Sequence, residues 1–354
     1  MKYPRFLKKN DTIGLLATSC GSNVNPYRVK TQQGIKYILD QNYNIKRGHR
    51  VFAMKKAVSA PHEVRAKDFM NMYKNKNIDF LWSTGGGEIM VGMLPFIDFE
   101  KIKKYPSKFF MGFSDNTNLT FTLTTICDVA TIYGTSIGSF CYDNLQLDTI
   151  DNYKLMLGEK LSFDSYPYYY GEKSYIKGLK PLEKPTYQDE VIYKSLDNLN
   201  HEFNGRIIGG CLDVLVSLCG TKFDNVTNFI EKYKDDGIIW YFDICDLNSV
   251  GTYRALFQLE NANWFKYVKG FIIGRTLSKI EPLGYQFIDA YKDVLAKYNV
   301  PVIYDFDISH VKPSLPVING AIANVSFKDS KGNITYILKW GIKWKLKYTL
   351  QDLY

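Results

Sequence analysis

Short apolar runs alternate with longer amphipathic stretches from residue 10 to about 150, a pattern that predicts strands followed by helices. A strand over 12–17 leads through a polar loop into a helix over 27–41, and a second helix, rich in charge, is expected over 61–75. Strands follow over 78–83 and 109–112, then a helix over 116–127 and a strand over 129–133. Strands alternating with helices imply a parallel sheet covered on both faces.

The character changes between about 150 and 200. Tyr166, Tyr168, Tyr169 and Tyr170, several lysines, Pro181 and Pro185 make an irregular stretch, read either as a linker with insertions or as an aromatic binding surface. Folded pattern resumes near Gly205. An apolar run over 206–213 ends in a glycine turn, a helix is expected over 212–219, and a strongly apolar strand over 237–242. A helix over 250–261, a strand over 271–274, a helix over 283–298 and a strand over 301–306 follow, and 321–348 alternates in the manner of strands. The fold class is therefore α/β: an N-terminal parallel-sheet domain (1–150), a linker (151–200) and a smaller C-terminal α/β domain (201–354).

One junction carries candidate chemistry. The strand over 109–112 runs into Gly112, Phe113, Ser114 and Asp115, and the helical pattern starts at once. A serine there sits on a tight strand-to-helix turn with its hydroxyl thrust outward, and the first helical amides face whatever it attacks. A plain helix cap by Ser114 or Asp115 is the competing reading.

A serine nucleophile needs a base, and a third group to hold that base. Of the four histidines, His49, His62 and His201 lie in polar surroundings, whereas His310 follows a buried strand and precedes a proline-containing loop. Ligands of α/β proteins collect at such strand ends. Asp243 closes the apolar run 238–242 and is the candidate orienting acid, with a solvated loop aspartate as the alternative. Asp246, Asp305 and Asp307 stand nearby in the chain. Gly85, Gly86 and Gly87 follow another strand and free the backbone to present N–H groups to a developing oxyanion. Their spacing excludes both the dinucleotide fingerprint and the P-loop.

Charge and cysteine usage narrow the class further. The net charge of +9 comes from 45 basic residues interspersed with 36 acidic ones, without the dense patch a nucleic-acid polymer calls for. Six scattered cysteines form no C-x-x-C pair, which argues against zinc or disulfides and for small buried hydrophobes in a reducing compartment. Lys2, Arg5, Lys8 and Lys9 ahead of 13–17 and Cys20 faintly mimic a lipoprotein leader, but Asp11 and Thr12 interrupt it. The apolar stretch falls below the roughly 7–15 residues of a signal core. No run reaches the roughly 18 apolar residues of a membrane span, so a cytoplasmic protein without a membrane segment is expected.

Together these segments resemble the serine peptidase family of LD-carboxypeptidases and microcin C immunity peptidases. The likeness runs from the opening strand through 82–88 and 112–117 to 209–213, 220–221, 240–246, 270–275, 307–310 and 316–320. It implies a two-domain enzyme that needs no metal or cofactor and commonly forms homodimers. Carried over by motif, Ser114 is the nucleophile, His310 the general base and Asp243 the triad acid. The amides of Asp115 and of a glycine in the 85–87 loop, Gly86 first and Gly87 beside it, make the oxyanion hole. The family's acid is normally a glutamate, so Asp243 is shorter by about 1.5 Å.

Within the family, chain length and the segments 240–246 and 263–275 look closer to the microcin-immunity-like branch, whose substrates are small peptides or aminoacyl-nucleotide conjugates. Trimming of murein tetrapeptides is one alternative, and a catalytically silent binding protein of the same fold is another. A cysteine-dependent amidotransferase is excluded, because no cysteine occupies the elbow.

Overall fold

The computed structural model describes residues 1–174 and 182–339. Pro181 and the expectation of strands over 340–348 lie outside the described residues. The predicted alternation appears as β1 (Thr12–Leu16), β2 (Asn44–Arg47), β3 (Phe80–Ser83), β4 (Phe110–Gly112) and β5 (Thr131–Tyr133). Next come β6 (Ser162–Asp164), β7 (Tyr168–Tyr169), β8 (Asp189–Glu190), β9 (Lys194–Ser195) and β10 (His201–Cys211). The series ends with β11 (Ile238–Asp243), β12 (Val268–Gly274), β13 (Val302–Phe306), β14 (Val317–Asn319), β15 (Ile322–Lys328) and β16 (Lys331–Ile337).

Six strands form a sheet in the order β14-β5-β4-β3-β1-β2, parallel except for β14, which pairs antiparallel with β5. The C-terminal half thus lends a strand to the N-terminal sheet. The second sheet runs β6-β16-β15-β10-β11-β12-β13-β9, with β10 to β13 parallel and antiparallel neighbours on either side. Its edges, β6 and β9, come from the segment read as a linker. At three and two residues they are too short to carry a period.

Three differences from the pattern have physical causes. β2 lies at a sheet edge with a largely exposed Asn-Ile-Lys-Arg sequence, so no apolar period announces it. The helix expected over 283–298 starts only at Phe287, because Gln286 and Asp289 form a reciprocal capping box there. The glycines near 209–210 make no turn: β10 continues to Cys211. Gly210 has φ +156°, and a Cβ on it would stand 2.4 Å from Thr117 Cγ2. Bare backbone there lets Thr117 Oγ1 accept from the Cys211 N–H at 2.9 Å, seating the serine-bearing helix on the second sheet.

That helix, Thr117–Cys127, is buried at every position but Ile126. It tolerates this despite five threonines because Thr122, Thr124 and Thr125 donate to the carbonyls of Asn118, Thr120 and Phe121, four residues back. Phe121 stacks on Trp264 at 5.2 Å, so the helix bridges the two halves.

The tyrosine-rich stretch is mostly structural. Tyr166 is buried and donates to Asp151 Oδ2 at 3.1 Å, Tyr169 lies 4.8 Å under the Arg275 guanidinium, and Tyr168 alone of the four is exposed. No described helix is long and apolar enough to cross a membrane.

Candidate active site

Ser114 has φ +63°, a left-handed backbone that costs a non-glycine residue about 1–2 kcal/mol. Strain of this kind persists only where the surroundings over-determine it, and it marks functional turns. Here β4 ends at Gly112 and a short 3₁₀ turn, Ser114–Asn116, leads straight into the buried helix. The turn holds the half-buried hydroxyl clear of its own backbone.

His310 meets that hydroxyl. Its Nε2 stands 2.9 Å from Ser114 Oγ, across 196 residues of chain. On the other side of the ring, Nδ1 lies 2.8 Å from Asp243 Oδ2. That contact is a close ion-pair approach rather than a well-aligned hydrogen bond. Asp243 also accepts the His310 backbone N–H on Oδ1 at 2.9 Å. One fully buried carboxylate therefore grips both the ring and the main chain of the histidine.

A buried arginine tethers the histidine loop. Arg275, 5% exposed, donates to the carbonyls of Val311 and Pro313 at 3.3 and 3.1 Å, and pairs with the buried Asp307. Ser309 donates to the Arg275 carbonyl and accepts the Val311 N–H. Asp307 is thus spent on Arg275, Tyr193 and the Tyr166 N–H, away from His310. Asp305 pairs with Lys194, and Asp246 is exposed on the loop beyond Asp243. His49 is exposed, and His62 and His201 turn to Arg65 and Asp197.

The glycine loop lies against the elbow. A Cβ on Gly86 would stand 2.9 Å from Ser114 Cβ and 3.1 Å from Oγ, so only bare backbone fits beside the hydroxyl. Asn116, wholly buried, ties the two turns together by donating to the carbonyls of Gly85 and Phe113, each at 2.9 Å. The Gly86 carbonyl accepts from the Cys20 N–H. A planar trans peptide points N–H opposite to C=O, so the Gly87 N–H turns the other way. Gly87 backs onto Ser19 and Cys20. Asp115 is buried, its carboxylate held by Ser19, the Met90 N–H and Asn118.

Burial works against a charge on His310. The Asp243 carboxylate, and after it the Cys245 thiol, outweigh burial and raise the imidazole well above its ordinary 6.5. Burial raises Asp115 as well. Glu88, at the rim, is raised by burial and then by Asp246, Asp115 and Asp213.

Two cysteines depart from the buried-hydrophobe expectation. Cys20 and Cys245 are only partly buried, one beside the glycine loop and one beside His310. Among the described residues no group of three or more His, Cys, Asp or Glu gathers to hold a metal ion.

Sequence reasoning did not find Tyr133, Asn116 or Arg275. Tyr133 donates to Asp243 Oδ2 at 2.7 Å and accepts the Ser114 N–H at 3.2 Å. Its place at the carboxyl end of a predicted strand is the signal that could have found it.

Residues 13–134 match the LD-carboxypeptidase N-terminal domain and residues 204–325 the LD-carboxypeptidase C-terminal domain. The microcin C7 self-immunity protein MccF of Escherichia coli is 25% identical over 340 residues, covering 93% of this chain and 94% of that protein. The probable murein peptide carboxypeptidase of Bacillus subtilis is 24% identical over 332 residues, covering 90% of each. A solved structure of MccF in complex with aspartyl sulfamoyl adenosine shares the fold, with a TM-score of 0.77 at 21% identity over 94% of this chain and 98% of that one. With both halves matched in order, the chain belongs to the LD-carboxypeptidase family of peptidases.

Proposed function

We propose that this protein is a cytoplasmic serine hydrolase that cuts a peptide or amide bond in a peptidyl- or aminoacyl-nucleotide conjugate, as a microcin C immunity-like peptidase. The observation that carries the reading is the unbroken contact from strained Ser114 through His310 to buried Asp243. His310 Nε2 takes the Ser114 proton as Oγ attacks the carbonyl carbon, and Asp243 steadies the imidazolium that forms. The amides of Asp115 and Gly86, with Gly87 behind, face the developing oxyanion. His310 then protonates the leaving amine, and water attacks the acyl-enzyme by the same route in reverse.

The relatives support the substrate class: one is named for self-immunity to microcin C7, and its structure holds an aminoacyl sulfamoyl nucleoside. The second reading, trimming of murein tetrapeptides, is favoured by the relative named as a murein peptide carboxypeptidase. In this proposal the N-terminal domain (1–150) carries the serine, the C-terminal domain (201–354) carries Asp243 and His310, and the enzyme works as a homodimer.

Purified wild type and Ser114→Ala would be exposed to a fluorophosphonate probe, then to aspartyl sulfamoyl adenosine and a murein tetrapeptide. Labelling of wild type alone, with release of aspartate from the conjugate, is expected. Equal labelling of both proteins, or none of either, would remove Ser114 as the nucleophile and leave a silent binding protein. Cleavage of the tetrapeptide alone would move the substrate to murein. Sedimentation at the monomer mass would exclude the homodimer.

A further inference from the structure

We infer that a cavity walled by the start of the glycine loop and by the loop after His310 is a subsite for an anionic oxo group of the substrate, a carboxylate or a phosphoryl group. The cavity holds about 290 Å³, and its lining includes Lys30, Thr84, Ser136, Tyr142, Asp148 and Lys312. Three of these belong to the loops that build the site. Thr84 directly precedes the glycine loop, Lys312 follows His310 by two residues, and Ser136 lies just past Tyr133. The Lys312 ammonium sits 5.1 Å over the Phe113 ring, and that ring is 4.5 Å from the His310 imidazole. One aromatic ring therefore lies between the cavity's cation and the base.

Two polar atoms in this wall lack hydrogen-bond partners among the described residues. Thr84 is 4% exposed, and its Oγ1 is buried and unbonded. Lys312 Nζ is buried without a hydrogen bond, its nearest opposite charge being Asp148 Oδ2 at 3.4 Å. A buried donor left without a hydrogen bond is costly, so such groups call for a partner. Both unbonded atoms can donate.

The charges in the cavity also favour an anion. Among the described residues Asp148 is the one acid in its wall, and its oxygens already accept the Thr149 and Ser314 N–H groups at 3.0 and 3.3 Å. It sits in the first turn of the helix Leu147–Leu157, where the helix end offsets negative charge. Lys30 forms no ion pair among the described residues and lies 5.6 Å from the Tyr142 ring centroid. Two ammonium groups face one partly neutralised carboxylate. An incoming carboxylate or phosphoryl oxygen would take hydrogen bonds from Lys312 and Thr84 and balance the remaining positive charge.

The subsite takes its place in catalysis from the hydrolase reading, but its binding can be measured without turnover. Full-length Ser114→Ala protein would be titrated calorimetrically with N-acetyl-lysyl-D-alanine and its carboxamide, and with adenosine monophosphate and adenosine. At least one anionic probe should bind tenfold or more tighter than its neutral counterpart, and the pair that shows this names the source of the anion. Lys312→Gln and Thr84→Val should each shrink that preference, and Lys312→Arg should restore most of it. Equal affinity within both pairs, or a preference that survives Lys312→Gln in a folded variant, overturns the subsite. Wild type that takes up a fluorophosphonate but shows no charge preference loses the subsite and keeps the hydrolase. Charge preference in a protein inert to the probe does the reverse.

Discussion

The Tyr133 phenol donates to Asp243 Oδ2 at 2.7 Å while accepting the Ser114 N–H at 3.2 Å. A single hydroxyl thereby joins the acid behind the histidine to the strained turn in front of it. Strand register sets the arrangement, since Tyr133 of β5 pairs with Gly112 of β4, two residues before the serine. Burial holds the phenol's pKa far above its ordinary value, so it stays a donor at any working pH.

Tyr133→Phe keeps the ring and deletes both bonds. A hydrogen bond to a charged group is worth about 1.5–3 kcal/mol. Expressed in the transition state, that is roughly a ten- to hundredfold loss of kcat, at about tenfold per 1.4 kcal/mol. Steady-state kinetics on the wild type's own substrate would test it. A loss under twofold would make the phenol a core hydroxyl and nothing more.

Asp243→Glu restores the residue usual in the family, yet it should harm this enzyme. The aspartate already contacts Nδ1 at 2.8 Å in a site with no solvent exposure. An extra methylene in packed surroundings costs about 1–3 kcal/mol, and a misplacement of about 1 Å in a catalytic group costs on the order of a hundredfold in rate. Lower kcat together with a lower unfolding midpoint is the expected result. Higher kcat would show that the contact made by the shorter aspartate is the poorer of the two.

Much of this was legible before the structure, and what was not has identifiable causes. Ser114, Asp243, His310 and Gly86 announce themselves because each ends or follows a strongly apolar strand, and a polar group at such an end has to be used. Tyr133 and Arg275 carry no such mark: a tyrosine ending a strand reads as core, and an arginine after one reads as surface. Asn116 was hidden for another reason, since its role is to bond the carbonyls of Gly85 and Phe113, and no side-chain pattern encodes a backbone target. The edge strands β6 and β9 escaped because two or three residues cannot display a period.

The pH dependence of activity and of stability should run in opposite directions. His310 accepts a proton only when neutral, and Asp243 raises its pKa above 6.5 in spite of burial. The rate at low substrate should therefore climb with pH, its half-point lying on the alkaline side of 6.5. Folding shows the reverse trend. A histidine whose pKa is raised on folding contributes stability that is complete below the unfolded pKa and fades as pH rises through the folded one. Asp243→Asn removes the raising charge, so its residual activity should titrate at lower pH and its alkaline loss of stability should vanish. Rate profiles and denaturant melts of both proteins would decide. A wild-type limb at or below 6.5 would mean that burial outweighs the carboxylate.

The Arg275–Asp307 pair is the support whose loss should be felt most in the fold. Asp307 is wholly buried and Arg275 is 5% exposed, so neither charge has water to fall back on. The pair's net worth against an apolar substitute is small, but removing one partner strands the other and costs about 3–5 kcal/mol. Arg275→Leu does this to Asp307 and also frees the Val311 and Pro313 carbonyls through which Arg275 tethers the His310 loop. Denaturant unfolding should show the full cost, with a fall in kcat beyond that of any unfolded fraction. Converting both residues, Arg275→Leu with Asp307→Leu, should recover much of the stability and little of the rate, because the stranded charge is gone but the loop is still untethered. Recovery of both together would mean that the pair acts on stability alone.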